Sequence, residues 1–175
     1  MIITFVFFYS RYVYIYSLDM EYINHIETNN IRGLVIDENN NILVSNIDAL
    51  YIYNIKGDVI KSWPLNYLDH KETRKIAINK NEIYIIDTFN DLVFVFSYQG
   101  KIIRTLSYCR SCKFSKLSGI AIYKNIVFIS DVKNTRIQAF TNQGKFIFEY
   151  KNINLKEYTN ILIADDYIYT SSCNS

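Results

Sequence analysis

The chain is 175 residues long, half apolar and 21% charged, with a net charge of +2. That excludes a disordered chain, and the charge is too small to imply nucleic acid or an anionic membrane by itself. Five glycines and one proline exclude a collagen-like or linker sequence, while 29 Ile, 16 Tyr and 11 Phe against 5 Ala point to an all-β domain.

In chain order, residues 2–8, 12–17 and 22–26 read as three strands. Three sets of four follow: 34–36, 42–45, 50–54 and 59–63; then 76–78, 83–86, 92–97 and 102–106; then 120–122, 126–130, 137–141 and 146–150. Two more strands lie at 161–164 and 168–171. Runs such as Ile83-Tyr-Ile-Ile and Leu92-Val-Phe-Val-Phe are apolar on both sides. A sheet with one wet face would alternate, so these strands are buried on both faces.

The glycines mark a repeat. Gly57, Gly100 and Gly144 lie 43 and 44 residues apart, each in a turn between two strands. Glycine there supplies the positive φ of a hairpin. Gly33 and Gly119 open a second recurring phrase, Gly33-Leu-Val-Ile and Gly119-Ile-Ala-Ile. A period near 43 built of short strands is the signature of β-propeller blades of four antiparallel strands, a to d. The blades span 32–63, 74–106 and 117–150 of one domain. Residues 1–27 supply strands b to d of a partial blade, and 160–172 supply strands a and b of another. Two arrangements fit: a four-bladed ring, or an open arc of a larger propeller. Ring closure requires strand 161–164 to pair with 2–8; otherwise the open edges favour self-association.

The third set carries a specific phrase: Ser118-Gly-Ile-Ala-Ile, a strand ending in Asp131, then Asn134-Thr-Arg136-Ile-Gln138-Ala-Phe140 and Gln143-Gly144-Lys. It resembles the NHL-repeat family of β-propellers. The second set keeps Ile-Ala-Ile, Asp87, Asn90 and Gly100, but has Leu92 where the arginine is expected. The first has Asn46 for the aspartate. The resemblance implies that Asp87 and Asp131 fix the b–c turn, and that partners are protein or RNA.

Other motifs take a plain reading. Cys109-Arg-Ser-Cys112 has no second pair of ligands, so it is an interblade loop and not a metal or redox site. His25 and His70 are read as surface residues of d–a connections, and Asp37, Asp165 and Asp166 as turn residues. No Ser/His/Asp or Cys/His set has an interpretable spacing, and no cofactor is expected. The apolar start lacks the pattern of a signal peptide, and no stretch reaches the ~20 residues of a membrane span. With an odd cysteine count and no sequon, a cytoplasmic chain without a membrane partner is expected.

In a four-stranded meander the d–a and b–c loops share one face. That face holds the chain's excess of cations, including Arg110, Lys113, Lys116, Lys133 and Arg136. Arg32, Arg74, Ser118 and Asn160 recur once per blade at the start of strand a, which rings the axis. Forked donors there suit carboxylates, phosphates or backbone carbonyls. The expectation is a non-catalytic module that binds a protein segment on this face. RNA is the alternative partner, and a channel-centred metal-dependent hydrolase or lyase, or a remnant without ligand, the alternative role.

Overall fold

The computed structural model describes residues 2–6, 11–65, 75–106, 113–151 and 160–171. The chain divides into two compact units, Met1–Arg74 and Lys75–Ser175. The first holds a three-stranded sheet of β1 (Ile2–Val6), β2 (Tyr12–Ser17) and β3 (Tyr22–Glu27). It also holds a four-stranded meander of β4 (Gly33–Ile36), β5 (Ile42–Ser45), β6 (Ala49–Tyr53) and β7 (Val59–Pro64). The second has two such meanders. One is β8 (Ile76–Asn79), β9 (Glu82–Asp87), β10 (Leu92–Ser97) and β11 (Ile102–Leu106). The other is β12 (Leu117–Tyr123), β13 (Ile126–Asp131), β14 (Arg136–Thr141) and β15 (Phe146–Lys151). The hairpin β16 (Asn160–Ala164) and β17 (Tyr167–Ser171) completes the unit. All pairings are antiparallel, and the four-stranded sheets are propeller blades. His25, expected in a connection, lies within β3 opposite Tyr14, because the strand runs on to Glu27.

Burial follows strand position. β5 is wholly buried, and so are Ile83–Asp87 and Val127–Asp131. The fourth strands are wet: Val59, Ile60, Ile102 and Ile103 are exposed. In the first unit Val13, Ile15 and Ile26 pack on Ile42, Val44 and Tyr53. In the second, Tyr84, Val93, Val95 and Leu106 pack on Ile120, Val127, Ile129 and Phe140 of the next blade. Each such side chain contributes about 1.5–3 kcal/mol when fully buried.

A polar clamp reinforces that second contact. Arg104 donates to Glu82 through both terminal nitrogens (2.9 and 2.6 Å), and to the carbonyl of Asn142 in the next blade. The Tyr84 hydroxyl donates to Glu82 at 2.7 Å. The hydrogen bond from Arg104 is the main cause that holds the Glu82 carboxyl below its ordinary pKa.

The c–d turn is built four times. The amide of Gly57, Gly100 and Gly144 donates to the carbonyl three residues back, on Asn54, Ser97 and Thr141. The glycines have φ of 84°, 78° and 87°. A bulge follows in each ladder, as a type I turn with a left-handed third residue requires. The residue before each turn caps it with a side-chain oxygen: Asn54 Oδ1 accepts from Lys56 and Asp58, Ser97 Oγ from Gln99 and Lys101, Thr141 Oγ1 from Lys145. A Cβ at Gly144 would meet Leu106 Cδ2 at 2.6 Å, so this glycine also admits the preceding blade. The fourth copy, between β2 and β3, has no glycine. Met20 takes its place at φ 64°, bonded to Ser17, and is 59% exposed.

The a–b turns are tight. Lys124-Asn125 and Asp165-Asp166 have positive φ at both positions, the type I′ geometry. Asp37 accepts from the amides of Asn39 and Asn41. These aspartates are turn residues. β16 pairs with β17, and β1 with β2. Strand a of the tail is held in its own hairpin.

Two outcomes follow. Met20→Gly should raise stability by about 0.5–1 kcal/mol in urea unfolding. Relief of the left-handed backbone, roughly 1–2 kcal/mol, exceeds the ~0.4–1 kcal/mol of added unfolded-state freedom. Glu82→Gln should be less stable than the parent at pH 7. A depressed carboxylate stabilises the fold above its ordinary pKa and loses that as pH falls through the folded value. The gap in urea midpoint should therefore shrink below about pH 4.

Candidate binding surface on the loop face

The second unit's loop face is organised around Asp131 at the end of β13, which is fully buried. Its Oδ1 accepts from the Ser115 amide at 2.8 Å, and Oδ2 from Arg136 Nε at 2.8 Å and Gln138 Nε2 at 3.3 Å. Asn134 Nδ2 donates to both oxygens and to the Lys113 carbonyl. One carboxylate thus ties the b–c turn to the segment leading into β12. Backbone bonds complete the seam: Val132 donates to Lys116 and Lys133 to Ser115. Asp91, from the preceding blade, accepts from the amides of Lys116 and Leu117.

Lys113, Lys116 and Lys133, twenty residues apart at the extremes, are thereby brought to one end of this blade. Lys113 and Lys133 are exposed, while Asp131 and Asp87 are buried. The acids are spent on hydrogen bonds, while the exposed cations are Lys113 and Lys133.

Arg136 does not belong to that surface. It is 8% exposed, and its donors go to Asp131, to Glu149 at 2.9 Å and to the Lys113 carbonyl at 2.8 Å. Burial and internal pairing make it part of the frame, which corrects its expected contact role. Lys151 first, and Arg136 with it, hold the Glu149 carboxyl below its ordinary pKa.

The other blades use weaker versions. Asp87 accepts from the amide and side chain of Asn90, with Leu92 where Arg136 would stand. Asn46 accepts from the amides of Asp48 and Ala49. Of the strand-a starts, Arg32 in the first unit is half-buried, and its amide donates to Ser45 at 2.8 Å. In the second unit Ser118 is buried, and Asn160 is half-buried opposite Ser171. Arg74, Arg110, His70, Cys109 and Cys112 lie outside the described residues. His25 is exposed, with Nδ1 2.7 Å from the Tyr22 hydroxyl. Among the described residues no three His, Cys, Asp or Glu gather to hold a metal.

No family model matches the sequence. No curated protein matches it either. Solved structures do. A streptogramin B lyase is similar at TM-score 0.72 and 15% identity, over 98% of this chain and 65% of that one. A catalytically inactive virginiamycin B lyase from Staphylococcus aureus with quinupristin gives 0.71 and 12%, over 98% and 66%. A glutaminyl cyclase from Myxococcus xanthus gives 0.61 and 14%, over 81% and 61%. The chain thus spans about two thirds of the length of these proteins. The similarity shows the fold: an all-β propeller architecture of four-stranded antiparallel blades.

Asp131→Ala should cost about 3–5 kcal/mol in urea unfolding, because it removes the buried carboxylate to which Arg136 Nε and the Ser115 amide both donate. Lys133→Ala, on the wet side of the same turn, should stay within about 0.5 kcal/mol of the parent.

Proposed function

We propose that this chain is a non-catalytic, NHL-like propeller module that takes an acidic protein segment on its loop face. In the second unit the contacts are Lys113, Lys116, Lys133 and Asn160, with Arg110 beside them in sequence. Arg32 and Arg74 offer the same chemistry in the first unit. The supporting observation is the sorting of charge around Asp131: buried acids and exposed lysines at one blade end. Lysines on rigid, hydrogen-bonded backbone lose little order on binding, and their ammonium groups match carboxylates. RNA is the second reading, since the same lysines would meet phosphates; the small net charge of +2 favours a protein segment.

A fluorescein-labelled oligoglutamate peptide and a single-stranded RNA of equal charge are the probes. The peptide should bind, and the double variant Lys113→Glu, Lys133→Glu should weaken it at least tenfold with unchanged circular dichroism. A steep fall of affinity with salt, seen for the RNA alone, would transfer the proposal to RNA. Loss of binding on reversing Lys56, Lys101 and Lys145 instead would move the site to the opposite face. Cleavage of quinupristin by the purified protein would replace the non-catalytic reading with a lyase.

A further inference from the structure

The approach to strand a is built alike in the two units, in residues 27–33 and 113–119. The glycine that ends each copy meets a serine of the next strand. Gly33 is opposite Ser45, and the Gly119 amide donates to Ser130 Oγ at 2.6 Å. Counting back from there, Ile31 and Leu117 are buried, and so are Thr28 and Phe114. Between these two anchors the backbone turns left-handed at one residue, Asn30 with φ 55° and Lys116 with φ 59°. Glu27 and Lys113, at the start of each copy, are both exposed. The copies share a backbone and differ in charge: a glutamate and an asparagine in the first unit, two lysines in the second.

The sequence extends the comparison to every blade. Leu34, Ile76, Ile120 and Ile161 hold one register position in strand a. Four residues before them stand Asn30, Glu72, Lys116 and Glu157, and seven before them Glu27, Asp69, Lys113 and Asn154. A cation occupies either place in one blade alone. Lysine also suits the backbone there less well than asparagine does, because its side chain crowds a left-handed residue and cannot bond locally to offset this. Lys116 is nevertheless held in that conformation from two sides. Its amide donates to Asp91 Oδ1 at 2.6 Å, and its carbonyl accepts from Val132 at 3.2 Å. An unfavourable backbone kept in place by surrounding bonds points to a use for the side chain it carries.

We propose that Lys116, with Lys113, selects the blade that takes the acidic segment, so that the chain binds one such segment and not one per blade. This rests on the loop-face reading above and narrows it to a single site. The Lys116 side chain starts from a backbone fixed by two hydrogen bonds, so it meets a carboxylate from a defined origin with little ordering left to do. In the first unit the same approach offers Glu27, whose charge repels the segment.

Isothermal titration of the full chain with the oligoglutamate peptide tests this, and it should give one peptide per chain. Lys116→Asn installs the first unit's own residue. It should weaken the peptide at least fivefold and raise the urea midpoint, because asparagine relieves the left-handed backbone. Lys116→Arg should hold the peptide within twofold of the parent. Parent affinity in Lys116→Asn, or a ratio above one for the parent, overturns the proposal and leaves the acidic-segment reading standing. A lower urea midpoint in Lys116→Asn, or equal weakening by arginine, overturns it too, since the lysine would then be structural. No binding of the peptide by the parent overturns both readings.

Discussion

The second strands of the three four-stranded blades, β5, β9 and β13, are buried on both faces, and most of the structure follows from that. A strand with two dry faces cannot carry polar side chains along its length without partners for them. Its polar chemistry is pushed to its ends. In β13 the run Ile126-Val-Phe-Ile is followed by Ser130 and Asp131, and both are buried and bonded. The aspartate then organises everything beyond the strand: the b–c turn, Arg136, and the segment that leads into β12. The loop face is therefore an outgrowth of the core. Its backbone is held by buried carboxylate oxygens, and the side chains of Lys113 and Lys133 are left to the solvent.

The price of that arrangement is a buried ion pair. A carboxylate and a guanidinium removed from water are compensated only when geometry is good and every remaining donor is used. Arg136 meets the condition by reaching Asp131, Glu149 and a carbonyl at once. Where Leu92 replaces the arginine, Asp87 keeps only the local bonds to Asn90. That blade obtains its polar link elsewhere, from Arg104 and Glu82. The repeat conserves backbone register and lets each blade choose its own polar clamp.

Strands were legible from sequence because their signal is local. β5, β10 and β11 have the bounds that the apolar runs predict, and the three glycine turns fall where the period put them. What was not legible depends on contacts between distant residues. Met20 hides a fourth copy of the turn, since methionine gives no hint of positive φ; the spacing from Ser17 was the available signal. β12 begins at Leu117, earlier than the apolar run suggests, because Asp91 and Asp131 hold its approach from two sides. Arg136 reads as a surface cation until the partners around it are seen. The lysine cluster had a partial sequence signal in the loop charges, but the seam that assembles it joins residues 113–117 to 131–134.

The two blade contacts of the second unit show how one backbone plan gives a joint with a polar clamp and one without. In the first, Glu82, Tyr84 and Arg104 occupy positions that ladder register equates with Ile126, Phe128 and Phe148 in the second. The charged set reaches across to the Asn142 carbonyl and fastens the next blade's turn. The apolar set has no directional bond to offer. It can only be covered, and coverage by β16 and β17 stops short of Tyr150, which stays 48% exposed. An ion pair placed at a blade edge tolerates water; an isoleucine and two aromatic rings gain by excluding it. The substitution of ring for charge at these three positions leaves the second joint held by apolar packing against Ile161, Ile163 and Ile168.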